Sequence, residues 1–275
     1  MPLPNTPQSG DPPVIAILRK HARSGVMKTL LILLGAIAVV QTLLIASGRM
    51  GIFTLNLNGR PSRVGSLLIT LALVALVFLS FWKLYRAAGK EPGSRLPTMP
   101  ATVGKVFTVI ALIFACFLAI GALTPALALL IPGSTLLDEI TKQMHELIPE
   151  LELDVSTMLI IGFTILSILS VLELVTAFSL LRTVKAAKHM LKTGVMTRGL
   201  SRLSAVTLLI NAGLLTLLCL LSLFSEGGFW GLLNDLPLAG ELVCFALLIL
   251  RARADLDSAF APSAEPAPNA GPELN

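Results

Sequence analysis

Met158 to Leu181 reads MLIIGFTILSILSVLELVTAFSLL, and at Arg182 the run gives way to RTVKAAKHMLK. The first part holds fifteen Leu, Ile, Val or Phe residues and a single charge, Glu173. Roughly 20 helical residues at about 1.5 Å each cross the roughly 30 Å of bilayer hydrocarbon. Near the centre of a span each large apolar side chain contributes about −0.3 to −0.6 kcal/mol to insertion, and an acid costs about 2.5 to 3.5 kcal/mol. The apolar residues therefore outweigh Glu173, and the stretch reads as a transmembrane helix. The basic continuation marks where that helix leaves the hydrocarbon.

Working outward, four further runs have the same character: residues 27–47, 66–86, 106–131 and 203–224. A sixth, 229–250, is weaker because it holds Asn234, Asp235, Pro237 and Glu241. Its core, Leu236 to Leu250, sets nine large apolar residues against Glu241, a balance close to zero on the same scale. This span is expected to need its neighbours to stay inserted, and it starts either at Phe229 or, with Asp235 as cap, at Leu236. The composition agrees. The chain is 55% hydrophobic with a mean hydropathy of +0.84, and its 13% of charged residues is about half the usual soluble share. A water-soluble fold this apolar would expose large greasy patches.

The expected fold is an all-α, polytopic transmembrane bundle of six spans over residues 27–253. A cytoplasmic segment, residues 1–26, precedes it, and a disordered cytoplasmic tail, residues 254–275, follows. The first span is expected to remain as an anchor, because Met1 to Pro13 is polar and Pro-rich and no signal-type cleavage site follows. Seventeen of the 21 Lys and Arg residues precede or open the first span, end the second or lie in the connection after it, fill the fourth connection, or follow the sixth span. By the positive-inside rule that side is cytoplasmic, and an even number of spans returns the C-terminus to it. Trp82, Tyr85 and Trp230 sit where an interfacial belt would place them. The setting expected is a bacterial inner membrane.

The connections differ in kind. Ile52 to Gly59 alternates and ends in Asn58-Gly59, a turn signal that suits a short extended piece or hairpin. In the third connection Thr135 and Asp138 resemble a capping box ahead of Leu137, Ile140, Met144 and Leu147, so a short amphipathic helix is expected there. The fourth begins as a basic extension of its span, with Gly194 placed to stop it. Arg182, Lys185, Lys188 and Lys192 are candidates for contact with anionic headgroups or a partner.

Ionisable and amide side chains within hydrocarbon are the candidates for function. They are Gln41, Glu173, Asn211 and Glu241. Ser170 and Glu173 share a face of the fourth span, Thr207 and Asn211 a face of the fifth, and the two faces can meet across an antiparallel hairpin. Such a cluster serves a solute or proton route, or else interhelical hydrogen bonding. Ala111, Ala115 and Ala119, followed by Ala122 and Ala126, form a small-residue seam for close helix packing.

No enzyme signature is present. His21, His145 and His189 lie outside the spans, and no P-loop, H-E-x-x-H or G-x-S-x-G occurs. Cys116, Cys219 and Cys244 are scattered within spans and read as packing residues. Neither cofactor nor metal is expected. The expected partners are the bilayer, with anionic headgroups on the cytoplasmic side, a membrane or envelope protein, and a second copy of the chain. Nucleic acid is excluded, because the net charge of +5 is divided among short clusters beside spans. The leading functional expectation is a non-enzymatic accessory, assembly or protective component. It rests on the want of a continuous polar path through the spans. The alternative is a small-solute or proton-coupled transporter or permease subunit using Glu173, Asn211 and Glu241.

Overall fold

The computed structural model of the chain describes residues 10–47, 55–57, 60–129, 142, 155–196, 199–223 and 228–260. A short helix, α1 (Pro13–Ala22), precedes α2 (Gly25–Ala46); a small hairpin, β1 (Leu55–Leu57) and β2 (Arg60–Ser62), leads into α3 (Arg63–Ala88). Then come α4 (Met99–Leu129), α5 (Val155–Thr193), α6 (Arg202–Ser222) and α7 (Gly228–Ala259). Six of these helices, α2 to α7, are long and apolar enough to cross a bilayer. The chain is thus a multi-pass helical bundle of the membrane class.

Local chemistry sets several boundaries. Pro13 opens α1, where its missing N–H costs nothing and its fixed φ suits a first turn. Ser24 caps α2 by accepting a hydrogen bond from the Met27 amide at 3.3 Å. In the hairpin Leu57 pairs with Arg60 across the position of the turn signal in the sequence, whose Asn58 and Gly59 lie outside the described residues. The helix α5 runs unbroken through the basic stretch for 39 residues and ends at Gly194, whose φ of +69° and 2.8 Å bond from its amide to the Met190 carbonyl form a glycine C-cap. A Cβ there would also lie 3.0 Å from Pro12, just ahead of α1. The helix expected in the third connection lies outside the described residues, apart from the helical Lys142.

The long helices form a ring in chain order. Each of α2 to α6 packs on the next, and α7 closes the ring against α2. Among the described residues no pair packs across its centre. Packing is closest at α4–α5 and α6–α7, and loosest at α3–α4 and α5–α6. Small residues permit the close pairs: Ala205 and Ala246 at the α6–α7 contact are fully buried. Large apolar side chains face outward on every span, among them Ile32, Leu68, Phe117, Phe178 and Leu218. Lipid is the solvent that such a surface suits.

The core is concentrated at the end where α1 lies. One cluster joins Ile15 and Ala22 of α1 to Leu30 and Leu34 of α2, Leu84 of α3 and Cys244 of α7. A second joins Val14 of α1 to Met190 of α5, Leu200, and Ala252 and Leu256 of α7. The N-terminal segment is therefore a docked helix that touches α2, α3, α5 and α7.

Two sequence expectations need correction, and one left open is decided: the sixth helix is full length, beginning at Gly228 rather than Leu236 and running through Pro237. The tail does not become irregular at residue 254: α7 continues to Ala259 because Leu256 is completely buried in the second cluster and Asp255 binds α1. Residues 261–275 of that tail lie outside the described residues. Within the chain Ala111 does not join the small-residue seam. It is exposed on α4, whereas Ala115, Ala119 and Ala122 are buried. The seam is the α4–α5 contact, where Ser167 of α5 reaches the Ala122 carbonyl at 3.5 Å.

Candidate functional site

The open centre of the ring is a cavity of about 470 Å³, walled by all six long helices and closed at one end by Leu18, His21 and Ala22 of α1. The wall is almost wholly apolar. Leu73, Val77 and Phe81 represent α3; Val103 and Phe107, α4; Leu180, Val184 and Leu191, α5. On α7 it follows one helical stripe, Leu238, Glu241, Phe245, Leu248 and Ala252, about 20 Å of helix at the usual rise. Phe81 and Phe245 pack with ring centroids 5.5 Å apart.

The polar residues in this wall are few and mostly engaged. Thr108 donates to the Gly104 carbonyl at 2.7 Å. Thr183 bonds Ser204 across the α5–α6 contact at 2.8 Å and accepts from the Ser201 amide at 3.2 Å. His21 lies 3.1 Å from Asp255. Glu241 alone of the four makes no hydrogen bond or ion pair among the described residues.

The structure divides the polar cluster that the sequence suggests. Asn211 does meet α5, but through Thr176, to which its side-chain amide donates at 3.3 Å. Thr207 and Ser170 are buried and bond back to the Ser204 and Leu166 carbonyls, at 3.2 and 2.7 Å. None of these three residues lines the cavity. Glu173 is exposed and has no partner among the described residues. It occupies the α5 stripe that continues at i+7, i+11 and i+18 into Leu180, Val184 and Leu191 of the cavity wall. Only Glu241 belongs to the cavity itself. Gln41, buried, donates to Asn234, which in turn donates to Asp235 at 2.8 Å, so this amide ties α2 to α7 where the ring closes. In the basic stripe Arg182, Lys185 and Lys192 are exposed and Lys188 is half-buried, a disposition open to headgroups or partners.

Sequence reading missed the fastening of α1. The Arg19 guanidinium binds Asp11 at 2.7 Å and donates to the carbonyls of Ala87 and Ser94 at 3.0 and 2.8 Å. Asp11 accepts from the Gly93 amide at 2.8 Å, and the guanidinium beside it holds its carboxyl below the usual carboxylate range. Gly93 has φ +90° and lies against Gly10, so a side chain there would be strained. At the other edge Asp255 takes Lys20 at 2.7 Å along with His21. The only advance signal was the docked helix's own amphipathic pattern, since apart from Asp11, eight positions before Arg19, the partners lie some 70 to 235 positions away.

Burial holds the His21 imidazole below its ordinary 6.5, the Asp255 carboxylate acting in the opposite sense and Lys20 and Arg251 assisting. The unfolded chain therefore binds a proton here more readily than the folded one. This contribution to stability is complete above 6.5 and is lost as pH falls below that value. The chain in detergent should thus melt at lower temperature as pH is brought from 7 toward 5, and His21→Phe should flatten the slope. An unchanged slope in the variant would assign the pH dependence elsewhere.

No family model matches the chain, and neither a curated protein nor a solved structure shows detectable similarity to it. What its own residues establish is a six-span helical membrane bundle with an apolar cavity among its helices.

Proposed function

We propose that the chain is a non-catalytic, membrane-embedded binding protein of permease type, whose solute is an apolar or amphiphilic small molecule. The cavity carries this reading. Its volume of about 470 Å³ falls within the roughly 300–1,000 Å³ of small-molecule sites, and its lining is of the mostly apolar kind they share. The accessory-component reading rests on the lack of a polar path; an apolar solute needs none. On this reading the solute would enter from the hydrocarbon at the looser α3–α4 or α5–α6 contact. The lopsided charge fits an α1 face turned toward the cytoplasm, and the compact loops and Ala/Leu-rich composition fit a bacterial inner membrane.

Native mass spectrometry of the full chain released from detergent tests this. The neutral apolar probe diphenylhexatriene should add one molecule per chain. Ala101→Phe combined with Ala187→Phe, which fills the wall, should weaken retention on the order of tenfold, the equivalent of about 1.4 kcal/mol. A chain that takes up no probe, or a filled variant that binds it as well as the parent, would refute the reading.

A further inference from the structure

We propose that the ligand is an amphiphilic cation, an apolar body carrying one ammonium-like centre, with Glu241 as its counter-charge. This rests on the cavity being a binding site, as argued above, and adds the chemistry of the occupant.

The argument is one of elimination by partners. Thr108, Thr183 and His21 already have theirs within the protein. Among the described residues Glu241 has none, and no Lys or Arg lines the cavity to neutralise it. A carboxyl in such surroundings is costly unless it is paired. What completes it must come from the occupant, and must be a hydrogen-bond donor or a positive charge.

The surroundings favour the charge. Phe245 follows Glu241 by one turn on the same stripe and packs against Phe81, while Phe107 stands in the α4 wall. Aromatic faces attract cations most strongly where water is excluded. An anionic amphiphile would meet the carboxylate with no cation to offset it. A divalent metal would find one carboxylate where it needs several ligands, and no group of three His, Cys, Asp or Glu exists among the described residues.

The shape also orders the ligand. Glu241 lies toward the end of the wall remote from α1, and the stripe between them is apolar. The cationic centre then sits deep in the ring, and the hydrocarbon body extends back toward Leu18 and Ala22.

Three probes of different charge test the assignment on the full chain by native mass spectrometry, with equilibrium dialysis for affinities. They are tetraphenylphosphonium, its size-matched anion tetraphenylborate, and neutral diphenylhexatriene. The phosphonium should bind one per chain and compete with diphenylhexatriene, and the borate should bind at least about tenfold more weakly, or about 1.4 kcal/mol. Glu241→Gln should lose about tenfold or more in phosphonium affinity while retaining diphenylhexatriene, which also reports that the variant is folded. Glu241→Asp should keep the preference for the cation. Equal binding of the two ions by the parent chain overturns the cation assignment without recourse to any variant, as does Glu241→Gln with undiminished phosphonium affinity. Diphenylhexatriene binding without phosphonium binding overturns the cation assignment alone. Failure of all three probes overturns the binding site and the assignment together.

Discussion

Arg19→Ala is expected to destabilise the chain by about 3 to 5 kcal/mol, the usual result of stripping one partner from a buried ion pair. Its side chain is only 12% exposed and that of Asp11 only 6%, so neither charge has ready access to water once the other is removed. The loss exceeds one ion pair, because the same guanidinium satisfies the Ala87 and Ser94 carbonyls at the end of α3 and in the link to α4. Arg19→Lys should lie between parent and Ala, since an ammonium keeps the charge but cannot reproduce the forked geometry. Thermal unfolding in a fixed detergent, followed by circular dichroism, checks the order. If the Ala variant melted with the parent, α1 would not be held as described.

The second large effect is expected at Leu256. Its side chain is completely buried against Val14, Met190, Leu200 and Ala252. Leu256→Ala should cost about 2 to 5 kcal/mol, the range for deleting a large buried side chain where surroundings collapse only partly. Ending the chain at residue 253 should cost at least as much, because it also removes Asp255 and with it the ties to Lys20 and His21. A truncated chain as stable as the parent would return these residues to the status of a loose tail.

The sequence displays its spans clearly because hydrocarbon demands them: the runs around Met158 and Val106 are long and almost uncharged, and the structure makes each a helix. The β1–β2 hairpin and the Gly194 stop were equally legible, each signalled by backbone chemistry that few residues supply. What could not be read was which way each helix faces. In water an amphipathic stripe points to the core; in lipid the outside is as apolar as the inside, and α3 or α7 shows no preferred side. Only the small and polar residues then carry directional information, and they carry it ambiguously. Ala111 and Ala115 look alike in sequence, yet only Ala115 is buried. Glu173 and Glu241 look alike too, yet only the second lines the cavity. The cavity left no trace in the sequence because Leu, Val and Phe serve equally well to fill a core or to border a void. The docking of α1 escaped for a different reason: Asp255 finds Lys20 and His21, and Arg19 the Ala87 and Ser94 carbonyls, far along the chain.

The closure of α7 against α2, with α1 between them and the α5–α6 link, brings the first and last helices side by side on one face. Such a chain has a circular order and no obligatory starting point. A circular permutant whose old ends are joined by a flexible linker, and whose new ends are cut into the link before Leu200, would pass every helix through the bilayer in its original direction.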